Sequence, residues 1–365
     1  MRLHLYFARK FTWTFAGVFL IFVGILLLID IAEQLRRFGD ENVGFTDVVA
    51  LSALNVPKTI YRILPLITIL SALTLFLSLA RSSELVVTRA SGRSAMRSLV
   101  APVLVALLLG VAAVAVMNPI VAATSKEYDA RASQFASGQA NALSIADGGL
   151  WLRQGGPEGQ TVIHAKRANL EGTELSGVSF LSFSPDGTPT QRIDAETATL
   201  VPGAWALTGA KLWPLTDSEN PERDATSRAI MSLPSELTRE QIRDSFGTPG
   251  AIPIWELPDF IDRLERAGFS ARAHRVWLQT ELALPFLLVA MVLIGAGFTM
   301  RHARFGRTGV MALSAILMGF VLFFIRNFAQ VLGENGQIPV SLAAWSPPVA
   351  AIFLSLGLLL HLEDG

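Results

Sequence analysis

The run FTWTFAGVFLIFVGILLLI, residues Phe11–Ile29, decides the fold. It carries no charge, and as a helix it rises about 28 Å, close to the roughly 30 Å hydrocarbon core of a bilayer. Arg2, Arg9 and Lys10 precede it, as they would a signal peptide. The run is too long for an h-region of about 7–15 residues, and the residues after it, Asp30-Ile31-Ala32-Glu33, offer no small-x-small cleavage site. A retained first span is expected. Working outward, five more stretches qualify: Ile63–Ala80, Leu99–Met117, Leu282–Met300, Gly309–Ile325 and Ala344–His361. Only 16% of residues are charged, against about a quarter in a soluble domain, so much of the chain does not face water.

The spans fall into two trios separated by a polar stretch, roughly 118–279. Cations order them across the membrane. Arg2, Arg9 and Lys10, then Arg81, Arg89, Arg93 and Arg97, then Arg301, Arg304 and Arg307 lie on one side if six spans are counted. That side is expected to be cytoplasmic and to hold both termini, with the long insert outside. The outer loops carry fewer cations, chiefly Arg36, Arg37, Lys58, Arg62 and Arg326. Pro65, Pro102, Pro285, Pro347 and Pro348 sit in or beside spans and read as tolerated kinks. They do not recur in matching positions of the two halves, so inverted repeats are not supported.

Within the insert, short alternating runs read as strands: 143–145, 150–153, 161–165, 177–183 and 205–213. Turn signals separate them at Gly155-Gly156-Pro157, Pro185-Asp186-Gly187 and Pro202-Gly203. The pattern predicts an all-β sandwich, jelly roll or open barrel. The period then lengthens. Leu257, Phe260, Ile261 and Leu264 mark an amphipathic helix over 254–267, lying on the membrane interface or packed on the β domain.

No nucleotide-binding P-loop, serine-hydrolase elbow or H-E-x-x-H zinc motif is present, and there is no cysteine. The five histidines are scattered, and no metal or other cofactor is expected. Net charge is zero, which gives no pointer to nucleic acid. No span centre carries a carboxylate or lysine of the kind that ion-coupled carriers use. Two charged clusters remain. At the outer end of span one are Asp30, Glu33, Arg36 and Arg37, with Lys58 and Arg62 at the entry to span two. They read either as local ion pairs, Glu33 with Arg37 for one, or as a clamp for phosphate. The second is Ser83-Glu84-Leu85-Val86-Val87-Thr88-Arg89, where Ser83 suits an N-cap and Gly92 a stop. It reads as a connector or as a coupling helix that docks into a partner.

These residues resemble the LptF/LptG permeases of the lipopolysaccharide exporter, and LptG the more closely. The resemblance is carried by Glu33-Gln34-Leu35-Arg36-Arg37, by Val56-Pro57-Lys58 through Leu64-Pro65, and above all by Ser83-Glu84-Leu85-Val86-Val87-Thr88-Arg89-Ala90-Ser91-Gly92. It implies a non-catalytic permease subunit of an ABC transporter in the bacterial inner membrane. It also implies a periplasmic jelly-roll-like domain over 126–270, between spans one to three (1–125, with a coupling helix at 82–92) and spans four to six (271–365). The implied partners are an LptF-like permease, a dimeric LptB-like ATPase, an LptC-like protein and lipopolysaccharide itself. Arg36 and Arg37, with Lys58 and Arg62 beside them, would contact lipid phosphate, while Asp30 stands where some relatives carry a basic residue. Ser83, Glu84, Leu85, Thr88 and Arg89 would form the coupling site. The alternative is a membrane-anchored scaffold whose β domain recruits envelope-assembly proteins by strand addition.

Overall fold

The computed structural model describes residues 2–38, 44–82, 84, 94–135, 143–146, 149–156, 159–169, 172–216, 220–235, 237–238, 242, 249–266, 270–300 and 308–364. The chain divides into two compact units. One comprises Met1–Phe135, Gly250–Trp255 and Arg272–Gly365; the other comprises Ala136–Pro249 and Glu256–Ala271.

The first unit is helical. Its elements are α1 (Arg2–Phe38), α2 (Phe45–Arg62), α3 (Leu64–Arg81), α4 (Ala95–Ala112), a π-helical segment (Ala113–Met117) and α5 (Asn118–Phe135). After the insert come α7 (Arg272–Thr299), α8 (Thr308–Glu334) and α9 (Val340–Asp364). Among the described residues, six helices are long and apolar enough to cross a membrane: Leu3–Phe38, Leu64–Arg81, Met96–Asp129, Arg272–Thr299, Gly309–Glu334 and Val340–His361. The six spans read from the sequence are all present.

Packing ranks them. α7 is the hub and touches α3, α4, α8 and α9. Its apolar stretch is 83% buried, against 6% for α1 and 17% for α8. Close approach at the hub needs glycine. A Cβ on Gly110 of α4 would stand 2.4 Å from the Pro285 Cα, and one on Gly295 would stand 2.9 Å from the Ala72 side chain. Small residues of this kind let membrane helices pack backbone to backbone.

Two helices differ from the reading of the sequence. The loop expected between spans one and two contains α2. It buries Val48, Leu51, Ser52, Val56, Ile60 and Tyr61, a stripe at helical spacing. α2 breaks from α3 only at Ile63, just ahead of Pro65. Span three continues as α5 beyond Met117. The π-helical turn there accommodates Pro119, which has no N–H to give the Ala115 carbonyl.

Among the described residues, the second unit holds seven strands: β1 (Leu143–Ala146), β2 (Gly149–Gly156), β3 (Gly159–Ala168), β4 (Glu174–Phe183), β5 (Pro189–Val201), β6 (Ala204–Pro214) and β7 (Thr226–Pro234). They form one antiparallel sheet in sequence order. β5 and β7 were not anticipated. The turn glycines Gly187 and Gly203 adopt φ of 86° and 81°, which favours glycine.

The inward face changes phase in register across three strands. Buried positions run Leu175 then Val178 and Phe180 on β4, Ile193 and Ala195 then Ala198 on β5, and Trp205 and Leu207 then Ala210 on β6. The switch falls at Gly177 (φ 63°), Glu196 and Gly209 (φ 62°), which the strand register brings side by side. A single phase slip would turn a strand inside out, so three aligned slips keep one continuous interior.

The sheet also curls. Gln154 on β2 donates to the Pro234 carbonyl at the end of β7 (3.3 Å) and accepts from Ser235 (2.8 Å). In a flat sheet these strands would lie roughly 24 Å apart, five spacings of about 4.8 Å. The result is an open, jelly-roll-like meander around Trp205, Phe180, Ile163 and Leu150, with no crossing connection among the described strands. The amphipathic helix is α6 (Leu257–Arg266); it belongs to this unit and buries Leu257, Ile261 and Leu264.

Candidate functional site

Three groups of polar side chains stand out among the described residues of the helical unit. The first is at the C-terminal end of α1. Asn55 of α2 donates to Asp30 of α1 at 2.6 Å. Gln34 donates to the Tyr128 hydroxyl of α5 at 2.9 Å, and Arg37 donates to the same hydroxyl at 3.5 Å. Phe38, Leu51, Ala132 and Tyr128 pack beneath them. Glu33 pairs with Arg36, three residues on, through both carboxylate oxygens at 2.8 and 3.0 Å, and not with Arg37. Arg36 nevertheless keeps 79% of its side chain exposed. An ion pair so exposed contributes little to stability, which leaves the guanidinium available to a phosphate.

Lys58 and Arg62 are exposed on α2. The Asp30–Asn55 contact sets the register of α1 against antiparallel α2. Counting helical rise from that contact, Arg36 lies about 14 Å from Lys58 and about 20 Å from Arg62 along the axes. The four cations therefore do not converge on one point. They form a ladder running from the C-terminal end of α1 along α2, with Arg62 level with the apolar part of span one.

The second place was passed over in the sequence. Glu281 of α7 is 1% exposed. It accepts a hydrogen bond from the Tyr61 hydroxyl of α2 and another from Asn118 Nδ2 at 3.3 Å. Arg326 of α8, partly buried, acts electrostatically on both Glu281 and Tyr61. Asn118 in turn accepts from the Ile254 amide at 2.9 Å, and the Trp255 indole donates to the Ala115 carbonyl at 3.2 Å. One carboxylate thus ties together α2, α5 and α7, with Arg326 of α8 acting on it and segment 250–255 bound through Asn118. The signal lay one residue outside two expected spans, since Glu281 precedes Leu282 and Arg326 follows Ile325.

The third place is at the opposite ends of the spans. Of the expected coupling residues, Ser83, Leu85, Thr88 and Arg89 lie outside the described residues, as does most of the helix expected at 82–92. Glu84 is described. Its carboxylate accepts from Lys10 (2.9 Å), from the Tyr6 hydroxyl (2.9 Å) and from Ser82 (2.8 Å). Burial pushes the Glu84 carboxyl up, but the hydrogen bonds from Lys10, Ser82 and Tyr6 outweigh it and hold it below the usual glutamate range.

Among the described residues no group of three or more His, Asp or Glu side chains could hold a metal ion. What the unit offers is exposed cations at one end and a polar clasp at the other. In the second unit, a cleft of about 630 Å³ opens between Thr173, Leu200–Gly203, Pro234, Ser235, Leu237 and Thr238, at the end where the sheet curls to meet itself.

The family described as Lipopolysaccharide export system permease LptF/LptG matches residues 5–361. The lipopolysaccharide export system permease protein LptG of Escherichia coli (strain K12) is 23% identical over 362 residues, covering 98% of this chain and 97% of the relative. The LptG protein of Haemophilus influenzae (strain ATCC 51907 / DSM 11121 / KW20 / Rd) is also 23% identical, over 368 residues and 98% of each chain.

Proposed function

Because the chain belongs to the lipopolysaccharide export system permease LptF/LptG family, we propose that it is the permease subunit of an ABC-type exporter. In this reading it extracts lipopolysaccharide from the inner membrane and passes it through its β domain toward the outer membrane. Both termini lie in the cytoplasm and the β domain in the periplasm, the orientation that places the arginine-rich loops inside. An LptF-like permease completes the translocation cavity, and an LptC-like protein receives the lipid. A dimeric LptB-like ATPase supplies the energy and docks at Glu84 and the residues that follow it.

One observation carries the reading beyond the family: the exposed cation ladder of Arg36, Arg37, Lys58 and Arg62. A phosphorylated glycolipid presents anionic groups at the membrane surface, and arginine binds phosphate through two parallel hydrogen bonds. The low burial of α1 and α8 supports it too, since both present long apolar faces to a partner chain or to lipid.

The test is purification from native membranes followed by ATPase assay with and without lipopolysaccharide. The complex should contain an ATPase and a second permease, and the lipid should stimulate hydrolysis. A preparation lacking any ATPase sinks the reading. With Arg36 and Arg37 both changed to Gln, stimulation should fall about fivefold, each lost phosphate contact removing roughly 0.5–1.5 kcal/mol. Undiminished stimulation would leave the two arginines as surface ion-pair partners. Photocrosslinking from the cleft at Val201 should yield a glycolipid adduct; adducts with proteins alone would favour the scaffold instead.

A further inference from the structure

We infer that Glu84 is a positioning residue that fastens the loop after span two to the first span, with Lys10 and Tyr6 as its fixed partners. Movement of that loop then reaches span one directly. The inference rests on the reading above, in which the loop receives an ATPase, and it assigns Lys10 and Tyr6 a part in transport.

Three observations converge. Lys10 and Tyr6 both lie on α1, one helical turn apart, and both donate to the Glu84 carboxylate. Lys10 also reaches the Tyr6 hydroxyl at 3.3 Å and stands 5.5 Å from its ring centroid. The three groups therefore hold one another as a set. The ion pair is only 25% and 31% exposed, so water screens it less than it would an open surface pair.

The second observation is where span one is held. Its apolar stretch is only 6% buried. Its described polar ties to other helices stand at the two ends: Asp30–Asn55 and Gln34–Tyr128 at one, Tyr6–Glu84 and Lys10–Glu84 at the other. A helix held loosely along its length and pinned at its ends follows its pins. The third is covalent: Glu84 lies three residues beyond the end of α3, whose last turn the Ser82 amide closes by donating to the Ser78 carbonyl, while the Ser82 hydroxyl donates to Glu84. The clasp thus joins the end of span two to the start of span one, and span one carries the outer cations of the proposed lipid ladder. A pull at Glu84 reaches that ladder through one rigid helix.

The experiment is a charge swap in the assembled complex, with two readouts: ATPase recovered with the permease, and lipopolysaccharide-stimulated hydrolysis. Lys10→Glu should cut stimulation about fivefold, within the usual range for coupling between sites, and leave ATPase recovery unchanged. Glu84→Lys should cut stimulation at least as far. The double variant Lys10→Glu/Glu84→Lys restores the pair with its charges exchanged and should recover stimulation clearly above that of Glu84→Lys alone. Lys10→Arg should behave as wild type and shows that the site tolerates substitution.

If Lys10→Glu is silent, or the swap is no better than Glu84→Lys alone, Glu84 acts on the ATPase without span one and the inference is overturned. A wild-type preparation without an ATPase fails differently: it removes the exporter reading, and the inference falls with it. The first failure leaves ATPase recovery and wild-type stimulation intact, so the two are distinguishable.

Discussion

Replacing Glu281 with alanine should destabilise the helical unit by about 3–5 kcal/mol, the usual consequence of breaking a buried charge network from one side. Tyr61 and Asn118 lose their acceptor, and Arg326 keeps its charge without a counter-charge. Each buried donor left unsatisfied costs about 1–3 kcal/mol on its own. The effect should appear as a lowered melting temperature in detergent and poor recovery from membranes. Glu281→Gln keeps an acceptor oxygen and removes only the charge, so its loss should be smaller. The double variant Glu281→Leu/Arg326→Met should recover part of the stability of Glu281→Ala, because it also removes the Arg326 charge that acts on the site and fills the space with apolar side chains. If Glu281→Ala melts within roughly one degree of wild type, the cluster does not hold the helices together.

That such a carboxylate escaped the sequence reading has a physical cause. Hydropathy locates the part of a helix that needs lipid, and helices continue past it wherever protein covers them. Glu281 and Arg326 each stand one residue beyond an apolar window, and only their meeting in space makes them a site. The six spans were legible because each is a long uncharged run. α2 was harder: Asp47, Lys58 and Arg62 give it a polar look, and its buried stripe is set by packing against α1 and α5. In the β domain the alternation is readable strand by strand, but its break at Gly177, Glu196 and Gly209 becomes a bend only once the strands align. The cations proposed to contact lipid were legible as residue types. Their arrangement as a ladder was not, because the register of α1 against α2 hangs on the Asp30–Asn55 contact. Glu84 read as a helix-start residue beside Ser83; its partner Lys10 is distant in sequence and reached only through the fold.

A side chain at Gly110 should part the two halves of the molecule. Gly110 sits on α4 of the first trio, directly against Pro285 of α7 in the second. A Cβ there would lie 2.4 Å from the Pro285 Cα and 2.9 Å from its Cβ, closer than carbon atoms can approach. Neither side can yield easily. Pro285 has a fixed ring and α7 is the buried hub, confined by α3, α8 and α9. Gly110→Ala should therefore cost about 1–3 kcal/mol, as overpacking does in a tight core, and Gly110→Leu more. The comparison that isolates packing is Gly24→Ala on α1, where no atom lies within 4 Å of the added carbon. There the gain in helix propensity acts alone, and stability should hold or rise by up to about 1 kcal/mol. Opposite signs at two helical glycines, followed by thermal unfolding in one detergent, locate the contact between the trios at α4 and α7. Pro285 also lies one turn after Glu281 and gives no N–H to its carbonyl, so α7 is locally weakest where the buried carboxylate ties it to α2 and α5. Widening the α4–α7 seam at Gly110 should loosen that tie as well. Gly110→Ala and Glu281→Ala should then combine to less than the sum of their separate losses. Strict additivity would mean that the seam and the polar cluster are independent supports.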